Sequence, residues 1–72
     1  MRIRVDPESD ALYFRLKEGN IEESEAISPD IILDYDPEGK IMGIEIINLS
    51  KHFTSDEISE LKVEFPAILT RK

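Results

Sequence analysis

The stretch from Asp34 to Glu45, Asp-Tyr-Asp-Pro-Glu-Gly-Lys-Ile-Met-Gly-Ile-Glu, constrains the fold more than any other part of the chain. Its letters nearly match a calcium loop, with acids at the first, third, fifth and last of twelve positions and Gly39 at the sixth. Its flanks contradict that reading. Ile31-Ile32-Leu33 precedes it and Ile44-Glu45-Ile46-Ile47 closes it, β-rich runs where a calcium loop needs helices. A hairpin explains the flanks and also Pro37 and Gly39. Pro37-Glu38-Gly39 forms a three-residue loop, a type I turn with Gly39 left-handed in a G1 bulge.

The expected register then pairs Asp36 with Lys40, Tyr35 with Ile41, Asp34 with Met42, Leu33 with Gly43, Ile32 with Ile44 and Ile31 with Glu45. At about 3.4 Å per residue, Glu45 lies roughly 17 Å from the Lys40 end of the turn. It cannot close a site whose ligands must approach the ion to about 2.3–2.6 Å. Asp36 and Lys40 become a cross-strand ion pair. Weak ion binding by Asp34, Asp36 and Glu38 at the tip is the remaining metal reading.

Opposite residues share a face. In this register Ile31, Leu33, Tyr35, Ile41, Gly43, Glu45, Ile47 and Leu49 fall on one side. Ile32, Asp34, Asp36, Lys40, Met42, Ile44, Ile46 and Asn48 fall on the other. Both sides are largely apolar away from the turn, and a half-solvated antiparallel pair should alternate instead. One short helix can cover only one side, so the expectation is a homodimer. The alternative is a monomer whose sheet curls over itself. Glu45 stands among apolar neighbours, either as a general base or paired with Arg2, Arg4 or Arg15; the pair is the expectation.

Elsewhere Met1, Ile3 and Val5 alternate with charged residues as a first strand, and Ala11–Lys17 is a second. Between them Asp6 and Asp10 flank a turn, where such side chains ordinarily bond to the backbone. Residues 21–27 form a weaker third strand whose Glu22, Glu23 and Glu25 suit a solvated edge. The fourth strand is Ile31–Tyr35 and the fifth Ile41–Leu49. Phe53-Thr54-Ser55-Asp56-Glu57-Ile58 begins a short helix with Thr54 as N-cap and Glu57 closing a capping box, ending near Leu61 or Lys62. Leu61, Val63 and Phe65 alternate as a sixth strand. The fold class is α+β: an antiparallel β-meander of five to six strands with one short C-terminal helix, residues 1–66 one domain and residues 67–72 a tail with Ile68 and Leu69 exposed.

At 72 residues the chain buries only about 60–65% of its unfolded surface, and without Cys it has no disulfide staple. A net charge of −7 with scattered basic residues argues against nucleic acid. No targeting segment or membrane-length apolar run is visible, so the expectation is a cytoplasmic protein without a membrane partner. His52 is the only His, placed in a polar link, exposed or near a helix end. No nucleophile–base pair, phosphate-cradling loop or multi-His metal site can be assembled. No catalytic, metal or cofactor-binding residue is assigned, and no cofactor is expected.

Asp6-Pro7-Glu8-Ser9-Asp10-Ala11-Leu12-Tyr13-Phe14-Arg15-Leu16 and Ile32-Leu33-Asp34-Tyr35-Asp36, followed by Gly39 and Gly43-Ile44-Glu45-Ile46, resemble the two signatures of a small prokaryotic family, domain of unknown function 2283. The likeness covers roughly residues 1–51. It implies an intracellular β-rich α+β protein with no established activity and no catalytic residues to transfer. It also suggests an antitoxin-like role beside small toxin-like proteins, and an acidic chain suits a basic partner. The expected function is a non-enzymatic interaction module. Metal or small-ligand binding through Asp34, Asp36 and Glu45 is the alternative, and a carboxylate enzyme a third.

Overall fold

In the computed structural model, which describes residues 1–66, five strands form one antiparallel sheet. They are β1 (Arg2–Asp6), β2 (Ala11–Arg15), β3 (Glu23–Ser28), β4 (Ile31–Tyr35) and β5 (Ile41–Ile47). A 3₁₀ turn (Leu49–Lys51) and the helix α1 (Ser55–Ser59) follow. The expected α+β architecture is therefore the one adopted. Spatial order is β1-β2-β5-β4-β3, so the longest strand is central and the acidic third strand lies at an edge, as its Glu residues require. The expected tail, residues 67–72, lies outside the described residues.

The hairpin tip forms as its sequence dictates. Gly39 takes φ +82°, its N–H donates to the Asp36 carbonyl at 2.9 Å, and the Asp36 N–H donates to the Lys40 carbonyl at 2.8 Å. One step further the expected register fails. Tyr35 faces Ile41, but Asp34 faces Gly43, Leu33 faces Ile44, Ile32 faces Glu45 and Ile31 faces Ile46. Met42 is the extra residue of a bulge. Its carbonyl is taken by the N–H of Leu16 at 2.7 Å, and its side chain reaches Gly19 and is 1% exposed.

That slip re-sorts every side chain beyond it. The ladders now place Ile3 and Val5 of β1, Leu12 and Phe14 of β2, Ile44 and Ile46 of β5, and Ile31, Leu33 and Tyr35 of β4 on one face. The opposite face carries Arg2, Arg4, Tyr13, Arg15, Gly43, Glu45, Asp34 and Ser24, together with Ala11, Ala26, Ile32 and Ile47. The expectation of two largely apolar faces is thus corrected: one face is apolar, and the other is mainly polar with Ile32 and Ile47 as its apolar patch, close to the ordinary pattern of a half-solvated antiparallel sheet.

Two other boundaries move. β5 stops at Ile47 because Asn48 enters the left-handed region at φ +53°, which turns the chain into the 3₁₀ segment and buries Leu49. The capping box of α1 forms, Thr54 Oγ1 accepting from the Glu57 N–H at 3.2 Å and Glu57 Oε1 from the Thr54 N–H at 2.9 Å. The helix nevertheless ends at Ser59, before Leu61. It buries none of its residues, and a short helix without a packed face does not propagate. The expected sixth strand over Leu61–Phe65 does not form: the segment joins no ladder and is exposed throughout.

The result is thin. Met42 and Leu49 are the buried hydrophobic residues among those described. The Cα radius of gyration is 14.1 Å, against about 11 Å for a compact domain of this length. Even Ile44 and Ile46 on the central strand are only partly covered.

Candidate functional site

On the polar face a hydrogen-bonded cluster is built across three strands. Tyr13 on β2 stands opposite Glu45 on β5, yet its ring lies across Gly43 to reach β4 beyond. Tyr13 Oη donates to Asp34 Oδ2 at 2.7 Å, and Ser24 Oγ of β3 donates to Asp34 Oδ1 at 2.6 Å. Gly43 is what permits the crossing, since a Cβ there would lie 2.5 Å from Tyr13 Oη. Partial burial, and then the Asp34 carboxylate, push the Tyr13 phenol above its ordinary 10.0. Both oxygens of Asp34 are thereby held by neutral donors inside the sheet.

Asp36 is held as firmly. It accepts from Lys17 Nζ at 2.5 Å and from the backbone N–H groups of Glu38 and Lys40 at 2.9 and 2.8 Å. The Lys17 ammonium, then the Lys40 N–H, hold this carboxylate below its ordinary 3.8. The expected Asp36–Lys40 ion pair is therefore replaced: Lys17 is the cation, and Lys40 contributes its backbone. Asp34, Asp36 and Glu38 do not converge on an ion site, and the described residues contain no group of three His, Asp or Glu side chains arranged to hold a metal.

The turn acids differ from each other. Asp6 behaves locally, accepting from the Glu8 and Ser9 N–H groups and from Ser9 Oγ; the Ser9 hydroxyl foremost lowers its carboxyl. Asp10, itself left-handed at φ +53°, instead reaches across the fold to the Ser50 N–H (3.0 Å) and Ser50 Oγ (2.7 Å). Its carbonyl also accepts from the Leu49 N–H at 2.9 Å. Nearby Asp30 is bonded to Asn48 Nδ2 and to His52 Nε2, both at 2.8 Å, and these two contacts lower its carboxyl in that order. His52 is thus a partly exposed clasp between the β3–β4 turn and the 3₁₀ segment.

Glu45 stands between Tyr13 and Ile32, one polar and one apolar neighbour, and makes no ion pair with Arg2, Arg4 or Arg15 among the described residues. The expected pairing is corrected: Arg2 and Arg15 converge on Glu18, with Nε to carboxylate distances of 3.1 and 3.9 Å. Arg15 also donates to the carbonyls of Lys17 and Gly19. Sequence reasoning missed the Tyr13–Asp34–Ser24 cluster. The signal for it was Gly43 inside a strand, a mark of close approach as well as of a bulge.

On the apolar face α1 stands beside the sheet and leaves a groove of about 430 Å³ lined by Ile3, Val5, Leu12, Ile46, Phe53, Glu57, Ile58 and Leu61. Ile3 and Val5 are 37% and 39% exposed, and Phe53 41%. The chemistry of this face is that of contact: it presents hydrocarbon, with Glu23 and Glu25 along the β3 edge.

A small antiparallel sheet with one mainly polar face, where Asp34 and Asp36 are held by internal donors, and one open apolar face defines an α+β protein. Its sequence matches the model of a family described as Protein of unknown function (DUF2283) over residues 2–50, and the chain belongs to that family. It is also 37% identical over 70 residues to an uncharacterized protein of Methanocaldococcus jannaschii, a match covering 94% of this chain and 60% of the archaeal protein. The chain therefore spans less than two thirds of that relative's length. No solved structure matches.

Proposed function

We propose that the protein is a non-enzymatic protein-interaction module that self-associates and binds a small basic protein in an antitoxin-like manner, within the cytoplasm. The observation that carries this reading is the open apolar face. A stable domain packs its sheet against a second layer, and here the layer supplied by α1 is five residues long. The acids do not argue for catalysis. Among the described residues every buried side-chain polar atom has a partner, and Asp34 and Asp36 spend their oxygens on internal donors.

Acidic residues at the β3 edge and the hairpin tip give the basic partner its attraction. Glu22, Glu23 and Glu25 lie beside Tyr35, Asp36 and Pro37 in one shallow recess. Electrostatic complementarity of this kind acts mainly on encounter and specificity. The test is co-purification of the chain with the protein encoded beside its gene. A defined complex that weakens as salt rises supports the reading; no complex at low ionic strength overturns it.

A further inference from the structure

The groove beside α1 and the segment that follows α1 have matching chemistry. Leu61, Val63 and Phe65 are 61%, 68% and 73% exposed, and in an extended chain these alternate side chains point to one side. The groove they would suit is open and apolar, and Leu61 at the start of the same segment contributes to its lining. Val63 and Phe65 run on from Leu61 exposed and do not line the groove of their own chain.

Charge points the same way. Residues 61–72 carry Lys62, Arg71 and Lys72 against Glu64 alone, so the body before them holds more negative charge than the whole chain's net −7. Within Leu61–Phe65 Lys62 and Glu64 balance, so the attraction to the acidic body of another copy comes from Arg71 and Lys72 in the sequence that follows, and Glu57 lines the groove. The three apolar side chains offer on the order of 400 Å² per arm, and two arms with the surfaces they cover come to roughly 1,600 Å², the size of a standard stable interface.

We infer that two copies exchange arms, Leu61–Phe65 of each lying in the groove formed by Ile3, Val5, Leu12, Ile46, Phe53 and Ile58 of the other. The inference rests on the reading that a second copy covers the apolar face, and it names the segment that does so. Reciprocal exchange is closed by a two-fold axis, so association stops at the dimer.

The chain has no Cys, which makes a disulfide test clean. A Phe65→Cys chain and an Ile3→Cys chain, carrying tags of different size, are mixed and equilibrated in a thiol–disulfide buffer, and light scattering is read on the unmodified protein. The expected result is a mixed disulfide of one copy of each variant, with a mass of twice 8.3 kDa for the untagged protein. A dimer by scattering without the mixed disulfide overturns arm exchange and leaves self-association through another part of the face. A monomer overturns both. In the Ile3→Cys/Phe65→Cys double variant, ring closure within one chain at high dilution, with no mixed product from the single variants, assigns the groove to the chain's own arm and overturns the exchange.

Discussion

The two faces of the sheet solve different problems. On one, Tyr13, Asp34, Ser24 and Gly43 fit together within a single chain, and the buried carboxylate has its donors. On the other, Ile3, Val5, Leu12, Ile44 and Ile46 lie in line but remain partly exposed. Physical cost explains the difference. A buried carboxylate without partners would be strongly destabilising, so its bonds must be complete before any partner arrives. Apolar surface left in water costs about 25 cal/mol per Å², and that debt can be met by association.

The sharpest way to break this contrast is Gly43→Ala. The added methyl collides with the Tyr13 ring, 2.9 Å from Cζ, and displaces the hydroxyl from Asp34. The expected loss is about 3 kcal/mol in urea unfolding, combining overpacking with a broken hydrogen bond. A loss below about 1 kcal/mol would mean that the polar face is loose. Asp34→Ala should cost about 2 kcal/mol by stranding the hydroxyls of Tyr13 and Ser24, whereas Tyr13→Phe, which leaves Ser24 on Asp34, should cost about 1 kcal/mol.

The apolar face is sharpened by concentration. If association covers it, the unfolding midpoint of the unmodified protein rises with protein concentration, reflecting about 1.4 kcal/mol of added apparent stability per tenfold increase for a dimer that unfolds to separate chains. The midpoint of a monomeric protein stays fixed. Gly43→Ala should lower the curve at every concentration without removing its slope.

Acid should act through the turns and the hairpin tip. Asp6, Asp30 and Asp36 titrate below 3.8 in the fold, so each contributes stability that is present above that value and lost as pH falls through the folded one. Urea midpoints should therefore hold through mildly acid solution and fall once pH drops below about 4. Asp36→Asn should flatten part of that fall. Tyr13 works in the opposite direction: its phenol is raised, so its contribution is present below pH 10.0 and is lost only as pH climbs through the higher folded value. The smallest effect is expected from Thr54→Ala, about 0.5 kcal/mol, since the lost cap serves a helix that buries none of its residues. Amide exchange at Glu57 reports it directly.

Much of this was legible in the residues. Pro37 and Gly39 set the turn, Thr54 and Glu57 set the helix start, and the acids of β3 marked it as an edge. The bulge at Met42 was not legible, because its cause is remote: Leu16 binds the Met42 carbonyl and Gly19 makes room for the side chain. That single residue moves Asp34 opposite Gly43 and Ile32 opposite Glu45, so the two strands share faces differently from the unbulged register.

Local chemistry thus determined where the chain extends, turns and starts its helix, since φ preferences and capping act over a few neighbouring residues. Which side of each strand meets which neighbour was decided only by tertiary structure. Register is a property of two strands held by a third, and a single inserted residue, stabilised by contacts far along the chain, resets it.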